Sequence, residues 1–158
     1  MAGKKSSKVR VQEAIDALGL DSEVVTMPDT TRTAEDAAAA CGCAVDQIVK
    51  SLIFERHDNQ HLVLLLIAGS NRADMDLAAE VIGSTLDRAD PKKVRSETGF
   101  AIGGVAPVGH LCPMEVYIDP HLLTFETVWA AAGAPNAVFK VASQALMKAT
   151  DAKLLSAA

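Results

Sequence analysis

Six consecutive apolar residues, Leu62-Val63-Leu64-Leu65-Leu66-Ile67, constrain this chain more than any other stretch. The run is far too short to cross a bilayer, and it lacks the alternation of a strand with one wet face. It is therefore expected to be a strand covered on both sides. Ser51–Glu55 precedes it as a second apolar run, with the polar segment Arg56–His61 between them, so a β-hairpin with a longish loop is predicted. Leu52, Phe54, Val63, Leu65 and Ile67 should then share one core.

Around that hairpin the pattern alternates helices and short strands. Val11, Ile15 and Leu18 carry a helical spacing over Ser7–Leu18, and Gly19 supplies a left-handed stop. Val24–Met27 is expected to be a short strand. Thr33 is placed to cap a helix that has Glu35 and Asp36 in its first turn and Gly42 after it. Asp46–Val49 suggests one further helical turn. Asp74 is expected to cap a helix to Ile82, and Asp90-Pro91 to open one that Gly99 closes. Strands follow at Glu115–Ile118, Thr127–Ala131 and Ala137–Val141, the last two joined by the turn Gly133–Asn136, and Ser143 is assigned as the cap of a last helix. With no repeat and no composition break, residues 1–158 are expected to form one α+β domain, a largely antiparallel sheet with helices packed against it.

Charge and cysteine usage narrow the function classes. Fifteen basic against twenty acidic residues leave a net charge of -5, which disfavours tight, sequence-independent binding to a polyanion. Lys4, Lys5, Lys8 and Arg10 make the start basic, but no hydrophobic signal core follows, so a cytoplasmic protein without a membrane segment is expected. Three cysteines do not make a disulfide framework and fit a reducing compartment. Cys41-Gly42-Cys43 lacks a second pair, and His57 and His61 lie in a polar loop, so no metal site is assigned. Asp74 and Asp76 are cap and first-turn residues rather than a catalytic pair.

Lys50 is the first candidate for chemistry. It lies between the apolar pairs Ile48-Val49 and Leu52-Ile53, where a lysine either snorkels to water or stays inside with a task. The second candidate is the loop Gly103-Gly104-Val105-Ala106-Pro107-Val108-Gly109, whose glycines let main-chain amides approach a ligand closely. No Gly-Lys-Ser/Thr follows, so it is not a nucleotide-phosphate loop.

Gln47-Ile48-Val49-Lys50-Ser51-Leu52-Ile53-Phe54, followed by Glu97-Thr98-Gly99-Phe100 and the glycine loop, resembles the YbaK/prolyl-tRNA-synthetase-associated editing family over about Met27–Thr150. The resemblance implies a YbaK-like, barrel-like sheet surrounded by helices, and an activity that hydrolyses mischarged aminoacyl-tRNA without a cofactor. A chain of 158 residues has no room for synthetase domains and so resembles the free-standing members. Lys50 matches the family's essential lysine, Gly103 and Pro107 its G-x-x-x-P loop, and Thr33 a polar position on the helix lining the pocket. Lys50, Gly103 and Gly104 are thereby the catalytic candidates; Thr33, Ser51, Val105, Ala106, Pro107, His110, Ala131 and Ala132 are the substrate-binding ones. Two positions depart from the family. Ala131-Ala132 stands where several members have a serine before the hairpin glycine, and Val138 where an acidic residue is common. Both changes remove polar groups from that side of the pocket, and they imply a substrate with an alanine- to cysteine-sized side chain, on tRNA-Pro or a similar tRNA. The expected partners are mischarged tRNA, bound weakly and transiently, and an aminoacyl-tRNA synthetase. The alternative is an inactive adaptor that binds tRNA or synthetase, and a small-molecule ester hydrolase is a third reading; retention of both Lys50 and the glycine loop favours the deacylase.

Overall fold

The hairpin is the centre of the sheet. In a computed structural model that describes residues 6–27, 33–101, 104–134 and 136–156, β2 (Ile48–Arg56) and β3 (Leu62–Ala68) pair antiparallel through seven registers, Val49 opposite Ala68 to Glu55 opposite Leu62. Every residue of β3 is buried, as its unbroken apolar run requires. Its side chains alternate between two cores. Leu62, Leu64, Leu66 and Ala68 face one that also holds Phe100, Phe139 and Val11. Val63, Leu65 and Ile67 face the other, with Ala78, Ile82 and Tyr117, and with Leu52 and Phe54 packed against it.

The remaining strands are β1 (Val25–Thr26), β4 (Leu86–Arg88), β5 (Glu115–Ile118), β6 (Thr127–Ala131), β7 (Ala137–Ala142) and β8 (Lys153–Leu154). They extend the hairpin into a mixed sheet of order β1-β7-β6-β2-β3-β5-β8, with β4 on the end of β2. The longest ladders, β2–β3 and β6–β7, are antiparallel; β2–β6, β3–β5 and β5–β8 are parallel. Five α-helices among the described residues accompany the sheet: α1 (Ser7–Ala17), α2 (Ala34–Cys41), α3 (Met75–Ile82), α4 (Pro91–Thr98) and α5 (Ser143–Thr150). Thr33, Asp74 and Asp90 each accept a first-turn amide through the side chain, and Gly42, Gly83 and Gly99 end their helices at positive φ.

Two local expectations are corrected, and two strands are added. Residues 46–49 are not one helical turn: a 3-10 turn covers Val45–Gln47, and Ile48 is already extended. The β-branched pair Ile48-Val49 registers with Trp129 and Ala130, and pairing overrides the weak helical signal. Ser143 is the first helical residue rather than a cap. Its hydroxyl turns inward and donates to the Phe125 carbonyl at 2.5 Å, and Ala142 occupies the cap position. Finally, β4 and β8 add two strands too short to leave any alternation in the sequence.

No helix among the described residues is long and apolar enough to cross a membrane.

Candidate functional site

β2 has a strand on only part of its second edge. Ile48 and Val49 register with β6, and Phe54–Arg56 register with β4. Between them, Lys50–Ile53 face no strand among the described residues, because β6 runs on to Ala131 and diverges. A cavity of about 140 Å³ occupies that opening. Ile48, Val49, Lys50 and Ser51 form one wall, Thr33, Ala34 and Ala37 of the α2 end another, and Trp129, Ala130 and Ala131 a third. Ala134, Ala137 and Val138 from the β6–β7 hairpin and Val105 from the glycine loop complete the lining.

The sequence candidates separate on this geometry. Lys50, Ser51, Thr33, Val105 and Ala131 share the cavity. Ala106 and Ala132 are fully buried and do not line it. Pro107 and His110 border a different hollow, with Leu18, Met114 and Ala149. His110 is therefore a packing residue, and its Nε2–H donates to the Ala106 carbonyl at 2.7 Å while its ring lies edge-on to Phe100. Gly103 lies outside the described residues. Gly104 differs from expectation as an amide donor, since its N–H is taken by the Ala101 carbonyl at 3.0 Å. What Gly104 contributes is close approach: a Cβ there would meet the Ala134 backbone at 3.3 Å. Among the described residues no hydrogen bond uses the neighbouring Val105 N–H.

The loop is a packed element rather than a solvent-side connection, with Gly104–Val108 all buried. Arg10 of α1 holds both its ends, a contact no local pattern announces. Its guanidinium donates to the carbonyls of Thr98, Gly99 and Gly109, each at 3.1 Å, and lies over the Phe100 ring at 4.7 Å from the centroid.

Two polar groups on the cavity wall are informative. The Lys50 amine is held by the main-chain carbonyl of Asn71 rather than by the glycine loop. The Ser51 hydroxyl is buried with no hydrogen-bond partner among the described residues. An unmet buried hydroxyl costs about 1–3 kcal/mol, so it marks a place where a bound group gains by supplying the bond.

Elsewhere the titratable groups behave structurally. Burial, with Cys43 beside it, pushes the Cys41 thiol up to about 11, which leaves it un-ionised and unreactive. Burial also lowers the His110 pKa below its ordinary value. An imidazole depressed in the folded state contributes stability that is complete above its unfolded pKa, about 6.5, and is lost as the pH falls below it. Denaturant midpoints are thus expected to fall between pH 7 and pH 5, with His110→Asn flattening the dependence. His57, raised by its hydrogen bond to Asp87, runs the other way, but the pair is exposed and screened. An unchanged slope in His110→Asn would assign the effect to another group.

Comparison with known proteins gives a consistent picture. The family profile described as "Aminoacyl-tRNA editing domain" matches residues 28–149. An uncharacterized protein of Bacillus subtilis (strain 168), YwhH, is 30% identical over 134 residues, 85% of each chain. A proline–tRNA ligase of Thermosipho melanesiensis is 32% identical over 98 residues, which are 61% of this chain and 17% of that much longer protein. Among solved structures, a protein proposed as a trans-editing enzyme for prolyl tRNA synthetase superposes with a TM-score of 0.89 at 43% identity, covering 96% of both chains.

Proposed function

The chain belongs to the aminoacyl-tRNA editing domain family, and on that premise we propose that it is a trans-acting deacylase, a single domain that removes a small amino acid from mischarged tRNA. One observation carries this reading: Lys50, Ser51 with its buried unpartnered hydroxyl, Thr33 and Val105 line one cavity whose other walls are alanines, branched aliphatics and Trp129. An aminoacyl ester is already activated, so the protein need not supply a covalent nucleophile. It must hold the ester, exclude misaligned water and stabilise the oxyanion of the tetrahedral intermediate. Lys50 is assigned to the ester or the attacking water, the Val105 N–H to the oxyanion, and Ser51 to a polar group of the aminoacyl moiety. Attack by water, assisted by the terminal ribose hydroxyl, breaks the acyl C–O bond, and the water's proton passes to the departing ribose oxygen. The products are the free amino acid and a tRNA with its hydroxyl restored.

The walls support the small-substrate reading. Ala34, Ala37, Ala131, Ala134 and Ala137 leave room for a side chain of alanine to cysteine size, and Val138 offers it no charge. Exclusion of larger residues is steric, at about 1–3 kcal/mol per extra methylene. The proline–tRNA ligase relative and the structural neighbour support tRNA-Pro, or a similar tRNA, as the carrier, with a synthetase as partner. The test is a panel of mischarged tRNAs incubated with pure protein while loss of the aminoacyl label is followed. Ala- and Cys-charged tRNA should be cleared and Phe- or Tyr-charged tRNA spared. Rapid clearance of the aromatic esters would sink the size argument. Binding without turnover of any member would instead identify an adaptor.

A further inference from the structure

The side chain of Lys50 ends on a built-in acceptor. The Asn71 carbonyl that receives its amine belongs to the turn following β3, and that turn is tied down at several points. Gly69 N–H donates to the Ile48 carbonyl at 2.7 Å, and Asn71 N–H to the Ala68 carbonyl at 2.9 Å. Gly69 leaves no room for a side chain, because a Cβ there would sit 2.4 Å from the Val45 carbonyl oxygen. The side chain of Asn71 is fixed as well: its Nδ2 donates to Asp119 Oδ2 at 3.0 Å.

Asp119 is the hub of this arrangement. Besides Asn71, Oδ2 accepts the Ala68 N–H at 3.1 Å, and Oδ1 accepts the His121 N–H at 3.0 Å. His121 in turn meets Asp46 through Nε2 at 2.9 Å. The carboxylate of Asp119 thus joins the end of β3, the start of the 3-10 segment Pro120–Thr124 and the turn that holds the lysine.

We propose that Asp119 is a positioning residue for Lys50: by fixing the Asn71 turn it sets where the amine sits on the cavity wall. The inference rests on the deacylase reading and deepens it. The requirement is for a carboxylate in particular. Three N–H donors converge on its two oxygens, and an ionised carboxylate is acceptor-only. Asparagine at this position would turn an N–H₂ towards either the His121 N–H or the Ala68 and Asn71 donors, so the three bonds could not all be kept.

Asp119→Asn is expected to lower kcat for deacylation about tenfold, as for coupled neighbours in one hydrogen-bonded network, with KM changed far less. In a Lys50→Ala background the same substitution should cost almost nothing, because the group it positions is gone. A readout independent of turnover is reductive methylation of the Lys50 amine, quantified by peptide mass spectrometry against the exposed Lys92. Methylation should speed up in Asp119→Asn. If that variant does not fold, Asn71→Ala replaces it. It removes only the Nδ2 donor, keeps the main-chain carbonyl, and should move both readouts in the same direction by less. A kcat loss that persists undiminished in the Lys50→Ala background overturns the proposal, as does an unchanged methylation rate. Full activity of Lys50→Ala alone would instead overturn the deacylase assignment of Lys50, so the two failures are distinguishable.

Discussion

Lys50→Ala is expected to lower deacylation by two or more orders of magnitude, about 2.7 kcal/mol or more in barrier. Lys50 is the one cationic residue lining the described cavity, and the walls around it are too apolar to replace the role proposed for it. The melting temperature should hardly move. The lysine is half-buried, and its loss removes a desolvation cost together with the bond to the Asn71 carbonyl. Lys50→Arg is the more discriminating variant. It keeps the charge but replaces a compact ammonium with a wide planar fork, in a space bounded by Ala34, Ala37 and Ile48. Most of the rate should be lost here too. Single-turnover assays on Ala-charged tRNA separate the cases: near-full activity in Lys50→Arg would reduce the residue to general positive charge, and activity in Lys50→Ala would return it to a lysine that merely reaches for solvent.

The largest expected effect on stability is at Leu65. Its side chain is fully buried, and Val63, Ile67, Ala78, Ile82 and Tyr117 belong to the same core between the hairpin and α3. Leu65→Ala should cost about 2–5 kcal/mol, the lost transfer energy plus the cavity left behind. The upper part of that range applies where neighbours cannot collapse, and β3 is held on both sides, by β2 and by β5. Urea unfolding at fixed pH measures it directly. A loss below half a kcal/mol would mean that this face of the hairpin is not packed as described.

The local architecture was readable wherever its cause lies within a few residues. The caps at Thr33, Asp74 and Asp90 and the stops at Gly42, Gly83 and Gly99 each depend on one side chain or one left-handed residue near its own helix end. The hairpin was readable because an apolar run with no wet face has few places to go. Ser143 shows the limit: serine before a helical pattern suggests a cap, yet Phe125, eighteen residues earlier, offers its hydroxyl a carbonyl. That Lys50, Ser51 and Val105 line one cavity agrees with what the resemblance and the loop composition single out, but the supports of that cavity were not legible. Arg10 meets carbonyls 88 to 99 residues away, and Asp119 meets Asn71 across 48. His110 borders a different hollow for the same reason, since adjacency to the loop in sequence says nothing about which side of the loop a ring packs on.

The brief pairing of β2 with β6 has a consequence for how such a pocket can diversify. Only Ile48 and Val49 are in register with β6 before the two chains separate, so the aperture is a gap between main chains, each anchored to its other neighbour, β3 or β7. Its breadth is set by the ladder, its depth by whatever side chains stand at Ala131, Ala137 and Val138. Of these, Ala131 is the position least tied to the core, since Ala137 and Val138 are buried and pair with β1. On the proposed reading, a lineage carrying this sheet could retune which amino acid it accepts by single substitutions, while the lysine and the turn beneath it stay where they are.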